Sequence, residues 1–156
     1  MSKKIISALD AYLHAYDNYP VFPDNWYVTE NFKWKEVFIN ERKSDTCPLL
    51  EVFQNAAKLA RVLQVARKEL GRPFNIHCWV RQIPHNKRAG STAKRSPHLN
   101  GNAVDFDVTG MSPFAVRAAL LKMDLPIRIE ANTPTWIHVD TGNPYINAFT
   151  YGIFYP

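Results

Sequence analysis

The 156-residue sequence has little of what marks a secreted scaffold or a membrane protein. Its two cysteines, Cys47 and Cys78, are too few for a disulfide framework and lack the CxxC spacing of a zinc or redox motif. We expect two reduced thiols, with a single disulfide as the alternative. No apolar run approaches the about 18 residues of a membrane span, and no secretory hydrophobic region follows the N-terminal lysines. The sequence therefore predicts a soluble protein without a membrane span or a signal peptide.

The composition is that of one globular domain covering residues 1–156, with 46% hydrophobic and 13% aromatic residues. Lys and Arg number 19 against 14 Asp and Glu, a net charge of +5 that is partly concentrated between Arg81 and Arg95. We interpret that segment as a solvated surface loop; an anionic partner, such as a cell-wall polymer, is the alternative. Nucleic acid is not expected, because no nucleic-acid-binding motif accompanies the charge. The oligomeric state is left open.

Hydrophobic periodicity divides the chain into helices and strands. Helical spacing predicts an amphipathic helix within residues 1–19, a long helix from about residue 49 to residue 70, and a helix from Pro113 to about Lys122. Alternation predicts strands at residues 74–80 and 103–108, and a β-hairpin from residues 127–130 and 136–140. The predicted fold class is α+β, a small and mainly antiparallel sheet with helices packed on one face.

The other face of that sheet collects residues suited to binding a metal. Because Val104, Phe106 and Val108 alternate with polar residues, Asp105 faces away from the core. The hairpin adds Glu130 and His138 to the same side, and His98 lies on the loop before the second strand. Two imidazoles and a carboxylate supply three ligands for tetrahedral zinc, with water in the fourth position. Taken singly, either histidine would also suit an ordinary loop or strand position.

A longer pattern joins these residues. Residues 96–105 read SPHLNGNAVD, and residues 136–140 read WIHVD. The two segments resemble the SxHxxGxAxD and WxHxD motifs of the zinc D-alanyl-D-alanine carboxypeptidase and L-alanyl-D-glutamate endopeptidase family, which includes phage endolysins and shares a hedgehog-like fold. The resemblance extends from about Asn31 to Asp140, so that residues 1–24 lie outside it. It implies zinc on the open face of the sheet, held by His98, Asp105 and His138.

The resemblance also implies roles for residues around the metal. Arg81 matches an arginine that contacts the substrate's carbonyl or carboxylate, and we expect Ser96 to help orient the substrate. Thr135 stands where the family often carries its catalytic acid. We predict Glu130 as the catalytic base, and Asp140 is the alternative, unless it orients the site instead.

The implied substrate is a peptidoglycan stem peptide. We therefore expect a zinc metallopeptidase, acting as a carboxypeptidase or an endopeptidase. The absence of a signal favours a phage-type lysin, made in the cytoplasm and released by a holin or carried in a virion. The alternative is a zinc-binding structural or virion module of the same fold that has lost catalysis, which the threonine at position 135 allows. One departure bears on the shape of the cleft: Cys78, Trp79 and Val80 precede Arg81, where the family usually has a small Ser-Gly-Tyr run.

Overall fold

The computed structural model describes residues 1–88, 96–142 and 152–155, without the side chains of residues 85 and 86. The five α-helices of this part of the chain are α1 (Ala8–Asn18), α2 (Trp34–Val37), α3 (Leu50–Leu70), α4 (Ile83–Arg88) and α5 (Pro113–Lys122). Its strands are β1 (Lys4–Ile5), β2 (Trp26–Tyr27), β3 (Phe74–Cys78), β4 (Ala103–Val108), β5 (Arg128–Glu130), β6 (Ile137–Asp140) and β7 (Gly152–Phe154). A 3₁₀ helix, Pro97–Asn100, precedes β4. None of the described helices has the length and apolar character needed to cross a membrane.

The main sheet has five strands in the order β3-β4-β6-β5-β7. Three neighbouring pairs are antiparallel, and β5 pairs with β7 in parallel. The α+β class and the mainly antiparallel sheet are therefore confirmed, whereas the sequence did not predict β7. Because β7 is only three residues long, it carries no alternation strong enough to identify a strand.

The long helix α3 forms much of the core beneath this sheet. Its apolar positions repeat every three or four residues, and eight of its side chains are buried: Val52, Phe53, Ala56, Ala57, Leu59, Ala60, Leu63 and Ala66. Gly71 ends the helix in the left-handed conformation, with φ of 61°, as the Gly71-Pro73 pattern predicts. Phe106 and Phe74 stack on the core side of the sheet, with ring centroids 4.7 Å apart. The sheet thus has one apolar face toward the helices and one open face.

The N-terminal prediction needs correction. The helix begins at Ala8, while Lys4 and Ile5 form a short parallel pair with Trp26 and Tyr27. The residues that α1 buries are Ala11 and Ala15, whereas Leu9, Leu13 and Tyr16 remain 51%, 59% and 76% exposed. Small side chains let α1 lie close to α3, and periodicity alone does not reveal which side of a helix with two apolar stripes meets the core.

The basic segment is also more ordered than a solvated loop. Residues 83–88 form α4, and Arg88 makes two hydrogen bonds to the buried Asp45 carboxylate, at 2.9 and 2.8 Å. Arg88 is therefore tied to the fold rather than free to meet a partner. Lys94 and Arg95 lie outside the described residues.

Candidate metal centre

Three predicted ligands come together on the open face of the sheet. Asp105 and His138 are directly opposite each other in the β4–β6 register, and Nδ1 of His138 lies 2.7 Å from Oδ1 of Asp105. The 3₁₀ helix holds His98 above the same carboxylate, with Nε2 3.4 Å from Oδ2 of Asp105. The two imidazole rings are 5.1 Å apart. One carboxylate is therefore flanked by one nitrogen from each histidine.

The turn after His98 depends on Gly101. This residue has φ of 74°, and a Cβ built on it would lie 2.5 Å from the carbonyl oxygen of Val52 in α3. Asn102 continues the turn by donating its backbone N–H to the Pro97 carbonyl oxygen. Only glycine allows the chain to turn this tightly against α3, and the turn sets the position of His98 relative to β4.

The remaining nitrogen of each histidine is held by an acceptor. Nδ1 of His98 lies 2.7 Å from the backbone carbonyl oxygen of Trp79, and Nε2 of His138 lies 3.2 Å from Oδ2 of Asp140. Because a carbonyl oxygen only accepts, Nδ1 of His98 donates to it, and Nε2 is the nitrogen that faces Asp105. In His138, Nδ1 faces Asp105 and Nε2 faces Asp140. Metal-binding histidines are commonly oriented by such acceptors, so these residues fit a metal ion.

The other contacts of Asp140 hold its carboxylate in place beside His138. It is fully buried, and Arg128 donates from Nε and Nη2 to its two oxygens at 2.7 and 3.0 Å. The backbone N–H of Gly142 donates to Oδ1 at 2.6 Å. Burial disfavours the charged carboxylate, but the bonds from His138 and Arg128 outweigh that cost and lower the pKa of Asp140. A carboxylate so fully engaged is suited to positioning His138.

Without a metal the cluster holds protons in its place. Burial by itself would lower the pKa of His98 and His138. The hydrogen bonds of His98 to Asp105 and Cys78, and of His138 to Asp105 and Asp140, together with the nearby negative charges outweigh burial and raise both pKa values to about 9. The histidines in turn lower the pKa of Asp105 against the cost of its burial. The site therefore stabilises positive charge, and a divalent cation would displace protons from the histidines on binding.

Cys78 is a potential ligand that the sequence reasoning did not identify. Its Sγ, a nitrogen of His98 and a carboxylate oxygen of Asp105 lie within 4.8 Å of one another. Both cysteines are free, as expected. The sulfur is 3.9 Å from Nδ1 of His98, which is the nitrogen bound to Trp79 rather than the one facing Asp105. Cys78 therefore lies beside the Nδ1 edge of the His98 ring and close to the Asp105 carboxylate. The signal available in the sequence was its position three residues before Arg81.

Comparison with known families agrees with this geometry. The family model for peptidase M15 matches residues 29–140, which include α2 through β6 and all of the residues just described except Gly142. The chain belongs to the peptidase M15 family. Members of this family are metallopeptidases, and a metal-compatible cluster lies within the matched region. A search of curated proteins gives no match.

The predicted substrate-orienting residues lie beside His98 in this M15 chain. The backbone N–H of Arg81 donates to the His98 carbonyl oxygen at 3.1 Å, and Nε of Arg81 is buried with no hydrogen-bond partner in the described part of the chain. Ser96 is buried immediately before the 3₁₀ helix, where its carbonyl oxygen accepts from Leu99. The backbones of both residues thus lie next to His98.

Glu130 lies on β5, which neighbours the strand that carries His138. In the β5–β6 register Ile129 lies opposite Val139, so Glu130 is one step further along, level with His138. No hydrogen bond to its carboxylate is present among the described residues, although its backbone oxygen accepts from Nε of Arg117 at 3.1 Å. Thr135 lies in the turn before β6 and contributes no carboxylate. Within the described residues the Glu130 carboxylate therefore has no hydrogen bond, whereas the Asp140 carboxylate has four.

Proposed function

We propose that this chain is a zinc-dependent peptidase that hydrolyses amide bonds in peptidoglycan stem peptides, as a carboxypeptidase or an endopeptidase. Membership of the M15 family supports the peptidase activity. The zinc ligands in this proposal are His98, Asp105 and His138, a nitrogen and oxygen set that zinc favours and that leaves a position for water, as in catalytic zinc sites.

The observation that carries the proposal is the orientation of the two histidines. The outer nitrogens of His98 and His138 face the Trp79 carbonyl oxygen and the Asp140 carboxylate, so one inner nitrogen of each ring faces Asp105. A buried pair of histidines that served only packing would not need both rings oriented toward one carboxylate. Preorganisation of this kind is expected of a metal centre.

Zinc bound there would supply a Lewis acid that polarises the scissile carbonyl and activates the attacking water. The chain's own residues would do the rest. Glu130 accepts the proton of the attacking water and returns it to the leaving amine. The Arg81 guanidinium orients the substrate's carbonyl or carboxylate oxygen, since its planar donors suit such oxygens and its Nε has no partner in the described residues. Ser96 contributes a hydroxyl on the same side.

The roles of the two acidic residues are separable by experiment. Glu130→Gln keeps the shape but removes the proton acceptor, so we expect hydrolysis of purified sacculi to fall by about 100- to 10,000-fold with the zinc content unchanged. Asp140→Asn should mainly weaken zinc binding, by about 10- to 100-fold, because it loosens His138. Glu69→Gln, on the far end of α3, is the matched control. A larger loss of rate in zinc-saturated Asp140→Asn than in Glu130→Gln would make Asp140 the base.

The second candidate is a zinc-binding structural or virion module without catalysis, which the absence of an acid at position 135 favours. The two are distinguished by new amino groups released from sacculi of several peptidoglycan types, with muropeptides identified by mass spectrometry to locate the bond. If the zinc-loaded wild-type protein released no new amino groups from these sacculi, the result would favour the zinc-binding module without catalysis.

A phage-type role, with holin release or virion delivery, is part of the proposal. It predicts that the protein lyses cells whose inner membrane has been permeabilised and spares cells that express it internally with an intact membrane.

A further inference from the structure

Phe154, on strand β7, lies in the same row of side chains as the metal centre. The β5–β7 register pairs Phe154 with Glu130. Their neighbour Ile129 is buried in the core, so alternation places Glu130 and Phe154 together on the open face of the sheet. Glu130 is level with His138, whose partner in β4 is Asp105. Phe154 therefore ends this row at the β7 edge of the described sheet.

The Phe154 ring contacts two residues of this centre. Its centroid lies 4.5 Å from the guanidinium carbon of Arg128. It also lies 6.2 Å from the ring centroid of His138, with the two rings edge to face at 73°. The register partner of Arg128 in β7 is Gly152, which has no side chain and leaves the guanidinium to the ring of Phe154. One aromatic ring thus contacts both a predicted metal ligand and the arginine that binds Asp140.

Arg128 is held between this aromatic ring and a carboxylate. Its side chain is 23% exposed, and its Nε and Nη2 donate to the fully buried Asp140. Asp140 in turn faces Nε2 of His138 at 3.2 Å. A cation over an aromatic face is stabilised by the ring, and the stabilisation grows as water is excluded from the cation. A continuous series of contacts therefore leads from Phe154 through Arg128 and Asp140 to His138.

We propose that Phe154 is a positioning residue of the metal centre. Its ring keeps the Arg128 guanidinium on Asp140, and this pair fixes the His138 imidazole for zinc. The inference rests on the proposed zinc peptidase function, since it takes His138 as a zinc ligand. Phe154 lies beyond the M15 match, which ends at residue 140. Strand β7 thus adds to the metal centre a residue that the matched region does not contain.

Zinc affinity, rather than hydrolysis, tests this role. Phe154→Leu keeps an apolar side chain but removes the aromatic face, so zinc should bind about three- to tenfold more weakly in a competition titration with a chromophoric chelator. The loss should be smaller than in Asp140→Asn, because Phe154 acts on Asp140 through Arg128. Phe154→Tyr keeps the ring and should bind zinc like the wild type. Tyr155→Leu is the matched control, since it removes the next aromatic ring, which is 74% exposed.

Two further measurements separate positioning from packing. If Phe154 acts through Asp140, Phe154→Leu should cost little zinc affinity in an Asp140→Asn background, whereas independent effects would add. In nuclear magnetic resonance spectra of the zinc-loaded protein, Phe154→Leu should speed the exchange with water of the His138 ring N–H that faces Asp140. The ring N–H of His98, which donates to the Trp79 carbonyl oxygen, should be unchanged and is the internal reference.

Several results would overturn the proposal. These are a zinc affinity of Phe154→Leu within about twofold of the wild type, an equal loss in Phe154→Tyr or Tyr155→Leu, an additive loss with Asp140→Asn, and unchanged proton exchange at His138. Failure of metal-free Phe154→Leu to fold would assign the ring to general packing and also overturn it. If the wild-type protein itself binds no zinc, the proposed zinc site is contradicted; if it binds zinc and the variants match it, only the role of Phe154 is.

Discussion

The tight turn at Gly101 gives a stability prediction with an internal control. In Gly101→Ala the new Cβ would lie 2.5 Å from the Val52 carbonyl oxygen and 3.3 Å from the Ala56 nitrogen, both backbone atoms of α3. Gly71→Ala is the matched control, because Gly71 has a similar φ of 61° but its added Cβ would meet no heavy atom within 4 Å among the described residues.

The expected loss of stability has two parts, the backbone strain that both variants share and the contact with α3 that only Gly101→Ala makes. Both alanines cost about 1–2 kcal/mol for the left-handed conformation, offset by about 0.4–1 kcal/mol from the less flexible unfolded chain. Only Gly101→Ala adds the cost of pushing aside a helix backbone, about 1–3 kcal/mol on the scale of overpacked cores. We therefore expect the free energy of unfolding to fall by about 1–3 kcal/mol more in Gly101→Ala than in Gly71→Ala.

Urea denaturation with a chelator present measures this difference without a contribution from bound metal. A separate titration should show weaker zinc binding in Gly101→Ala alone, because the turn positions His98. Unfolding free energies that agree within about 0.5 kcal/mol for the two variants would refute the argument that contact with α3 requires glycine at position 101.

Three further outcomes are expected. Chelation should lower the melting temperature of the zinc-loaded protein, because an ion at about 100 times its Kd stabilises the folded state by about 2.7 kcal/mol; His98→Ala should show no such response. Arg81→Lys should slow hydrolysis with zinc content unchanged, since an ammonium lacks the planar donors, and equal rates would contradict a substrate-orienting role for Arg81. Arg117→Ala should cost about 1–3 kcal/mol and speed amide exchange in the β5–β6 connection, because Arg117 donates to the carbonyl oxygens of Glu130, Thr133 and Trp136; unchanged exchange would contradict this.

The placement of a site residue was predictable where it follows from a short sequence pattern within one strand. Alternation along β4 placed Asp105 opposite the core, and the same alternation in β6 placed His138 beside it, so a period of two sufficed to bring both to one face. For His98 the sequence predicted only a loop before β4, whereas the structure has a 3₁₀ helix from Pro97 to Asn100. The long helix α3 was also predictable from the sequence, because its apolar stripe is uninterrupted and a glycine follows its last turn.

Contacts between distant residues were not predictable in the same way. The bonds of Asp140 to Arg128 and of His98 to the Trp79 carbonyl depend on register between strands and on a backbone oxygen, neither of which leaves a residue pattern. The exposed stripe of α1 shows the same limit, since apolar spacing identified a helix but not the face that packs. The parallel pairing of β7 is a long-range contact of the same kind.

A β-bulge in β3 explains why Cys78 and His77 lie on the same face of the sheet as Asp105 and Asp107. The register with β4 pairs Ile76 with Phe106 and then Cys78 with Asp105, so His77 is the extra residue of a β-bulge. Strict alternation would have directed Cys78 toward the core with Ile76. The bulge instead turns Cys78 to His98 and leaves His77 beside Asp107, and bulges next to functional sites commonly redirect side chains in this manner. One extra residue therefore brings the Cys78 sulfur next to His98 and the His77 imidazole next to Asp107.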